Sequence, residues 1–336
     1  MLSNHRPHAL FILDSEFLPL IYGLDERSEL ERLAHFYAPP QTRESIAKNP
    51  DLLAEAEVIF SGWGAPRLDE TFLEKAPKLR AIFYAAGTIN HITTDAFWQR
   101  NLTITSAYAA NARPVAEYTL GMILVSLKNF WRYGPQAKRA QGWGTPARPL
   151  TGAFRTTVAL IGCGMIARRV IELLKPFDLR CLVCDPFLSE AEADELGVKL
   201  CSLEEAFAQG EVVSLHAPDK PQTNGMITGA HFSLMKQEAT FINTARGRLV
   251  RAAEMIAVLR ARPDLTAILD VCDPEPPTVD SPLLMLPNVV LTPHIAGSVG
   301  PECQRMGRYM LDEFRRYLEG RPLQWEITRE LAAKVA

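Results

Sequence analysis

No apolar run in the chain approaches the ~20 residues needed to span a bilayer. A secretory leader is missing too: Met1–Arg6 is polar, and the apolar Ala9–Leu13 is too short for the hydrophobic region of a signal. The expected location is therefore cytoplasmic. Charge of one sign is not in excess either. The formal net charge is -3 over 336 residues, which gives no reason to expect nucleic acid as a partner. Repeats and low-complexity tracts do not occur, and the short stretch after Trp325 leaves no expectation of a further regulatory domain. Cysteine is sparse, six in all. Cys181 and Cys184 have C-x-x-C spacing, but they lie in an apolar stretch that reads as strand, where residues three apart face opposite sides. A shared disulfide or metal is not expected of them, nor a metal elsewhere.

Hydrophobic residues make up 47% of the chain, enough for substantial cores, and the length suits two domains of ordinary size. From Thr157 onward, β-branched or apolar runs recur at Thr157–Ile161, Arg180–Cys184, Glu211–Leu215, Ala239–Asn243, Thr266–Val271 and Val289–Thr292. Helix-compatible segments such as Met165–Lys175 and Ala252–Ala261 lie between them. Apolar strands alternating with helices predict a parallel sheet covered on both faces, and six strands match a full dinucleotide-binding sheet. The first hundred residues show a weaker version: Ala9–Leu13, Val58–Phe60, Ala81–Tyr84 and Leu102–Thr105 read as strands, with Leu68–Lys75 a helix. Pro114–Trp131 has a long helical pattern with Pro114 suited to a first turn, and is read as the bridge between domains. Glu302–Leu318 reads as a helix, ended by Gly320 and Pro322, that returns to the first domain.

One turn and three charged residues carry the chemistry. Val158–Ile161 runs into Gly162-Cys163-Gly164-Met165-Ile166-Ala167, a strand, a turn and a helix start. Gly162 permits the tight turn, Gly164 lets the backbone approach a pyrophosphate at the positive helix end, and Ala167 suits helix packing on strand. Alone, this spacing also fits an ordinary strand–helix turn. Asp185 sharpens it, standing after the next strand near the ~20-residue offset at which an acid takes the ribose 2′-hydroxyl. A carboxylate there repels a 2′-phosphate, so NAD is expected over NADP.

Arg246, Glu275 and His294 follow the fourth, fifth and sixth of the counted runs. Ligands of open α/β sheets bind outside the carboxyl ends of the strands. In the order 3-2-1-4-5-6 those three strands lie together beside the first, while Asp185 after strand two serves the adenosine half of the cofactor. His216, after strand three, is placed on that adenosine side as a residue lining the cofactor cleft. An arginine, a carboxylate and a histidine so gathered suit acid–base chemistry on a small anion.

These blocks resemble the D-isomer-specific 2-hydroxyacid dehydrogenases. The likeness rests on Gly162–Ala167 with Asp185, Asn243-Thr244-Ala245-Arg246-Gly247, Asp270-Val271-Cys272-Asp273-Pro274-Glu275-Pro276 and Pro293-His294-Ile295-Ala296-Gly297. Val212–Pro218, Asn111–Leu120 and the Gly87 loop fit as well, so it covers nearly the whole chain. It implies a Rossmann-type parallel-sheet cofactor domain at 113–301, binding NAD, and a smaller flavodoxin-like α/β substrate domain at 1–112 and 302–336. It also implies an enzyme that interconverts a 2-keto acid and a D-2-hydroxy acid. His294 would be the acid/base, Glu275 its partner at the other imidazole nitrogen, and Arg246 the holder of the substrate carboxylate. Asp270 would accept from the nicotinamide carboxamide. Met165, Ile166 and Thr244 would join the cofactor contacts, and a homodimer is expected through the cofactor domain.

On the substrate side, the small residues of Tyr84-Ala85-Ala86-Gly87-Thr88 let backbone amides approach a carboxylate, which makes Ala86 and Gly87 expected contacts. Here the chain departs from the family, with Ile89 where an acidic residue is common. Trp63, within Ser61–Pro66, is expected to touch the substrate side chain, with a core position as the alternative. Glu275 weighs against formate oxidation, since the formate enzymes of the family carry an amide there, and no dedicated phosphate motif supports phosphoglycerate. The alternative from another class is an NADH-sensing binding protein, like the corepressors that share this scaffold and keep the Arg–Glu–His set.

Overall fold

The computed structural model describes residues 6–139 and 150–332. The polar N-terminal stretch therefore lies mostly outside the described residues, as do the last residues of the 302–336 segment. The chain divides into two compact units. Unit 1 comprises Met1–Asn111 with Ser298–Ala336, and unit 2 comprises Ala112–Gly297. Residues 298–301, read from sequence with the cofactor domain, cluster with unit 1, where the Ser298 amide donates to Asn111 Oδ1 at 2.8 Å. No helix among the described residues is long and apolar enough to cross a membrane.

Unit 1 holds β1 (His8–Ile12), β2 (His35–Phe36), β3 (Val58–Ser61), β4 (Ala81–Tyr84) and β5 (Thr103–Ser106), all parallel, in the order β2-β1-β3-β4-β5. Every residue of β3 and β4 is buried; strands covered on both faces have no alternation to show, only continuous apolar runs. The chain reverses its direction of travel across the sheet between β1 and β3. In such sheets the crevice outside the carboxyl ends at that switch point is where ligands bind. The helix Cys303–Leu318 belongs to this unit because its apolar stripe does: Met306, Met310, Leu311 and Phe314 are buried. Phe314 packs edge-on at 5.0 Å from Phe60 and 5.2 Å from Phe83. Arg308 clamps the same helix to Glu26 and Glu29, each at 2.8 Å.

Unit 2 holds β6 (Thr157–Ile161), β7 (Arg180–Cys184), β8 (Lys199–Leu200), β9 (Val212–Leu215), β10 (Thr240–Asn243), β11 (Thr266–Leu269) and β12 (Val289–Leu291). The order is β12-β11-β10-β9-β6-β7-β8, so the sheet has seven strands where sequence gives six. The strand missing from the sequence reading is β8, only two residues long, with Lys199 exposed. Its omission shifts the numbering. The strand after which His216 falls is β9, hydrogen-bonded between β6 and β10, so His216 sits at mid-sheet and not on the adenosine side. For the same reason the Arg246 strand does not adjoin β6. The 3-2-1-4-5-6 order holds once β8 is counted third. Within β7, Cys181 and Cys184 pack against different core clusters on opposite faces.

The bridging helix also differs from expectation. It runs Tyr108–Ser126, with Pro114 inside it, and Trp131 belongs to a separate helix, Phe130–Arg139. Pro114 is a misleading start signal because Ala109, Ala110 and Ala112, strong helix formers, already carry the helix to it. Asn129, at φ +48, makes the break; asparagine tolerates the left-handed region better than most residues.

Candidate active site

The turn after β6 has a backbone that only glycine accommodates. Gly162 lies at φ +91, and a Cβ there would come within 2.8 Å of the Ala217 nitrogen and the His216 carbonyl carbon, at the end of β9. Gly164 caps the helix Met165–Leu174 without any side-chain hydrogen bond, and a Cβ on it would meet nothing within 4 Å. The first amides of this helix receive no hydrogen bond from the Gly164 cap, and the positive end of the helix dipole lies behind them. The Cys163 amide donates to Asp185 Oδ2 at 2.6 Å and the Phe187 amide to Oδ1 at 2.8 Å, which fixes the carboxylate beside the turn. Open amides at a helix start and a fixed carboxylate on the neighbouring strand fit the pyrophosphate and ribose of a dinucleotide. Met165 is exposed and Ile166 half-buried on the same helix start.

His216 has its own local partner: Nε2 and the Ser214 hydroxyl are 2.9 Å apart. Burial pushes the imidazole down to about 4, which keeps it neutral at ordinary pH.

The three charged residues stand at the ends of β10, β11 and β12. His294 Nδ1 lies 2.5 Å from Glu275 Oε1. A carboxylate has no proton to give, so Nδ1 donates, and Nε2 is left as the nitrogen that exchanges a proton. His294 is held at φ +54, a left-handed conformation unusual outside glycine. What holds it there is Asp270, 2% exposed. Its backbone carbonyl accepts from the His294 amide at 3.0 Å. Its carboxylate accepts from the Ile295 amide, the Ala296 amide and the Thr292 hydroxyl at 2.8, 2.9 and 2.7 Å. Thr292 is braced in turn by the Tyr118 hydroxyl at 3.0 Å.

Arg246 sits in the loop after β10, shaped by the side chain of Asn243. That amide donates to the Arg246 carbonyl at 3.0 Å and accepts from the Ala245 amide at 3.0 Å. The guanidinium touches the Ala245 carbonyl at 2.7 Å and forms no ion pair among the described residues. A Cβ on Gly247 would fall 2.1 Å from the Cys272 carbonyl carbon, so this glycine lets the Arg246 loop close onto the loop that carries Glu275. Thr244 is buried, its hydroxyl 3.4 Å from that of Thr119. Among the described residues no group of three or more histidine, cysteine or acidic side chains is placed to hold a metal.

In unit 1, Ala86 is buried and Gly87 half-buried after β4, with the Ser106 hydroxyl 2.9 and 2.5 Å from their carbonyl oxygens. Ile89, in place of an acid, is core at 3% exposure. Trp63 is half-buried after β3 and packs edge-on against Phe17 at 5.0 Å. In the sequence, Asn243 and Gly247 enter only as part of the block around Arg246, with no role of their own, and Asp14 does not enter at all. The first two carry a signal in hindsight, a polar residue closing an apolar run and a glycine beside the arginine. Asp14 follows the run Ala9–Leu13 just as Arg246 follows Ala239–Asn243.

Comparison with known proteins bears on the whole arrangement. The family model described as D-isomer specific 2-hydroxyacid dehydrogenase, NAD binding domain, matches residues 120–296. A D-3-phosphoglycerate dehydrogenase of Archaeoglobus fulgidus is 30% identical over 261 residues, 77% of this chain and 49% of that protein. A glyoxylate reductase of Aeropyrum pernix is 27% identical over 302 residues, 88% of each chain. A D-lactate dehydrogenase from Aquifex aeolicus, solved with NAD and lactic acid, superposes with a TM-score of 0.71 at 25% identity, covering 93% of this chain and 96% of that one. The chain spans about half the length of the phosphoglycerate dehydrogenases it matches.

Proposed function

The chain belongs to the D-isomer specific 2-hydroxyacid dehydrogenase family, and from that premise we propose that it is an NAD-dependent oxidoreductase interconverting a small 2-keto acid and the D-2-hydroxy acid. The observation that carries this reading is the His294–Glu275 pair at 2.5 Å on a turn pinned by buried Asp270. When bound, the nicotinamide supplies or accepts the hydride. His294 Nε2 gives a proton to the carbonyl oxygen in reduction and takes it back from the hydroxyl in oxidation. Glu275 holds the ring in the tautomer that leaves Nε2 free. Arg246, with no ion pair among the described residues, grips the substrate carboxylate through its planar fork.

Gly162, Gly164, Met165 and Ile166 are assigned to the pyrophosphate side of the cofactor, and Asp185 to its ribose. Asp185 is also the reason to prefer NAD over NADP. Thr244, His216 and Asp270 are assigned to its nicotinamide half. Asp270 Oδ2 accepts a single amide and keeps capacity for a carboxamide donor. In unit 1, Ala86, Gly87 and Trp63 are the proposed substrate contacts. A homodimer through unit 2 is part of the reading, supported by Phe130 and Phe154, which are 54% and 66% exposed; light scattering in solution tests it.

The functional test is loss of NADH absorbance with glyoxylate, hydroxypyruvate, pyruvate, 2-ketoisocaproate and phenylpyruvate, with chiral analysis of the product. Formation of a D-2-hydroxy acid is the expected result. NADH binding without turnover of any of these acids would contradict it.

A further inference from the structure

Two strands of unit 2 place a pair of cysteines side by side at the edge of its sheet. β7 and β8 run parallel in the register Leu182↔Lys199 and Val183↔Leu200, so Cys184 and Cys201 come next, opposite each other. The Cys201 amide donates to the Val183 carbonyl at 3.0 Å, which carries the ladder to that point. Residues opposite in a ladder face the same side. Both cysteines are half-buried and pack against the same core cluster. Neighbouring strands lie about 4.8 Å apart, inside the Cα separation of about 4.4–6.8 Å that a disulfide spans. Both are free thiols. Burial, and next the Cys184 thiol itself, pushes the Cys201 thiol up to about 12. β8 is two residues long and ends the sheet order, so it can shift to bring the sulfurs together.

The pair adjoins the cofactor turn. The Cys184 carbonyl accepts from the Gly162 amide at 2.8 Å, and the next residue, Asp185, accepts from the Cys163 amide at 2.6 Å. β7 lies between β6, which leads into that turn, and β8. A disulfide draws two sulfurs to about 2 Å, so closing it pulls the end of β7 toward β8 and away from the turn. We propose that Cys184 and Cys201 are a redox modification site, oxidised to a disulfide by small disulfides of the glutathione class, and that the bond weakens dinucleotide binding. The weakening rests on the reading of Asp185 and the Gly162 turn given above. In the first step one protein thiolate attacks a sulfur of the small disulfide, whose S–S bond breaks and releases a thiolate. The other protein thiolate then attacks the protein sulfur of the mixed disulfide, and the second small thiolate leaves. Two electrons pass to the small disulfide, and the protons of the two protein thiols end on its released halves. Burial holds both thiols up, so little thiolate is present at neutral pH and the exchange quickens as pH rises.

The test incubates the whole chain with oxidised glutathione, alkylates the remaining thiols and maps the peptides by mass spectrometry, beside a fluorescence titration with NADH. The expected result is a Cys184–Cys201 linked peptide that forms about tenfold faster for each unit of rising pH and is absent in Cys201→Ser. The oxidised protein should bind NADH at least threefold more weakly, with affinity restored by dithiothreitol. Cys201→Ser should keep the affinity of reduced wild type before and after the treatment. Both thiols left open to alkylation, or a glutathione adduct that never resolves into the linked peptide, would overturn the proposal. So would a linked peptide with unchanged NADH affinity, or a loss of affinity that persists in Cys201→Ser. If the reduced protein binds no NADH at all, the functional reading fails by itself. The redox site is then judged by mass alone: the linked peptide upholds it, and its absence overturns it.

Discussion

In unit 2 the charged side chains at the strand ends are braced from behind. Asn243 shapes the Arg246 loop, Gly247 lets it close on the Glu275 loop, and Asp270 ties down the turn that holds His294. In unit 1 the corresponding positions after β3 and β4 are glycine, alanine and tryptophan, and Asp14, after β1, has no side-chain partner among the described residues. Proton transfer and carboxylate binding need fixed geometry, because small misplacements are costly in rate. Choosing among substrates needs only shape and charge complementarity. The contrast is the reason the chemistry is proposed for unit 2.

The contrast is open to breaking at several places. The largest effect is expected at Arg246. Arg246→Gln removes charge-assisted hydrogen bonds worth about 1.5–3 kcal/mol each, so kcat/KM should fall by roughly 10²–10³ in steady-state assays. Retention of wild-type kcat/KM would mean that the substrate carboxylate is held elsewhere. Next comes the brace. Asp270→Ala orphans two backbone amides and a hydroxyl, at about 1–3 kcal/mol for each buried group. Chemical denaturation should show a loss of at least about 2 kcal/mol. Asp14→Ala orphans nothing and should stay within about 0.5 kcal/mol; equal losses would erase the distinction between the units.

Gly162→Ala meets both a positive φ and a 2.8 Å contact with the end of β9. It should weaken NADH binding about tenfold, as read by fluorescence titration. The smallest effect concerns pH. His216 is held at about 4 in the folded protein, against about 6.5 in the unfolded chain. As pH falls below about 6.5 the unfolded chain takes up a proton that the folded one refuses, so stability declines until about pH 4 and no further. His216→Asn removes that slope. Relative to wild type the variant should gain stability between neutral pH and pH 4, measured by urea unfolding across the range. Parallel pH curves for the two proteins would show that His216 is not the group responsible.

Sequence made parts of this molecule legible for identifiable reasons. Strands covered on both faces are continuous apolar runs, so β6 and β7 have the bounds read from sequence. A charged residue just after such a run stands out, which is how Arg246, Glu275 and His294 become candidates. The two-residue β8 has no run to show, and its loss displaced His216 in the inferred order. Pro114 misled because proline signals a helix start more often than an interior position, while the alanines before it carry the helix through. Gly247 could not be understood from its neighbours, since its constraint comes from Cys272, far along the chain. Asp14 follows an apolar run but has no motif around it, and its closeness to Gly64 comes only with the fold.

In the proposed reaction His294 exchanges the proton while other residues hold the cofactor. The most direct measurement is His294→Ala assayed twice, for NADH affinity by fluorescence titration and for keto-acid reduction under saturating substrate. NADH affinity should stay within about twofold of wild type, and kcat should fall by roughly 10²–10⁴. Turnover that survives at the wild-type rate would contradict it, and so would a loss of activity explained entirely by lost NADH binding.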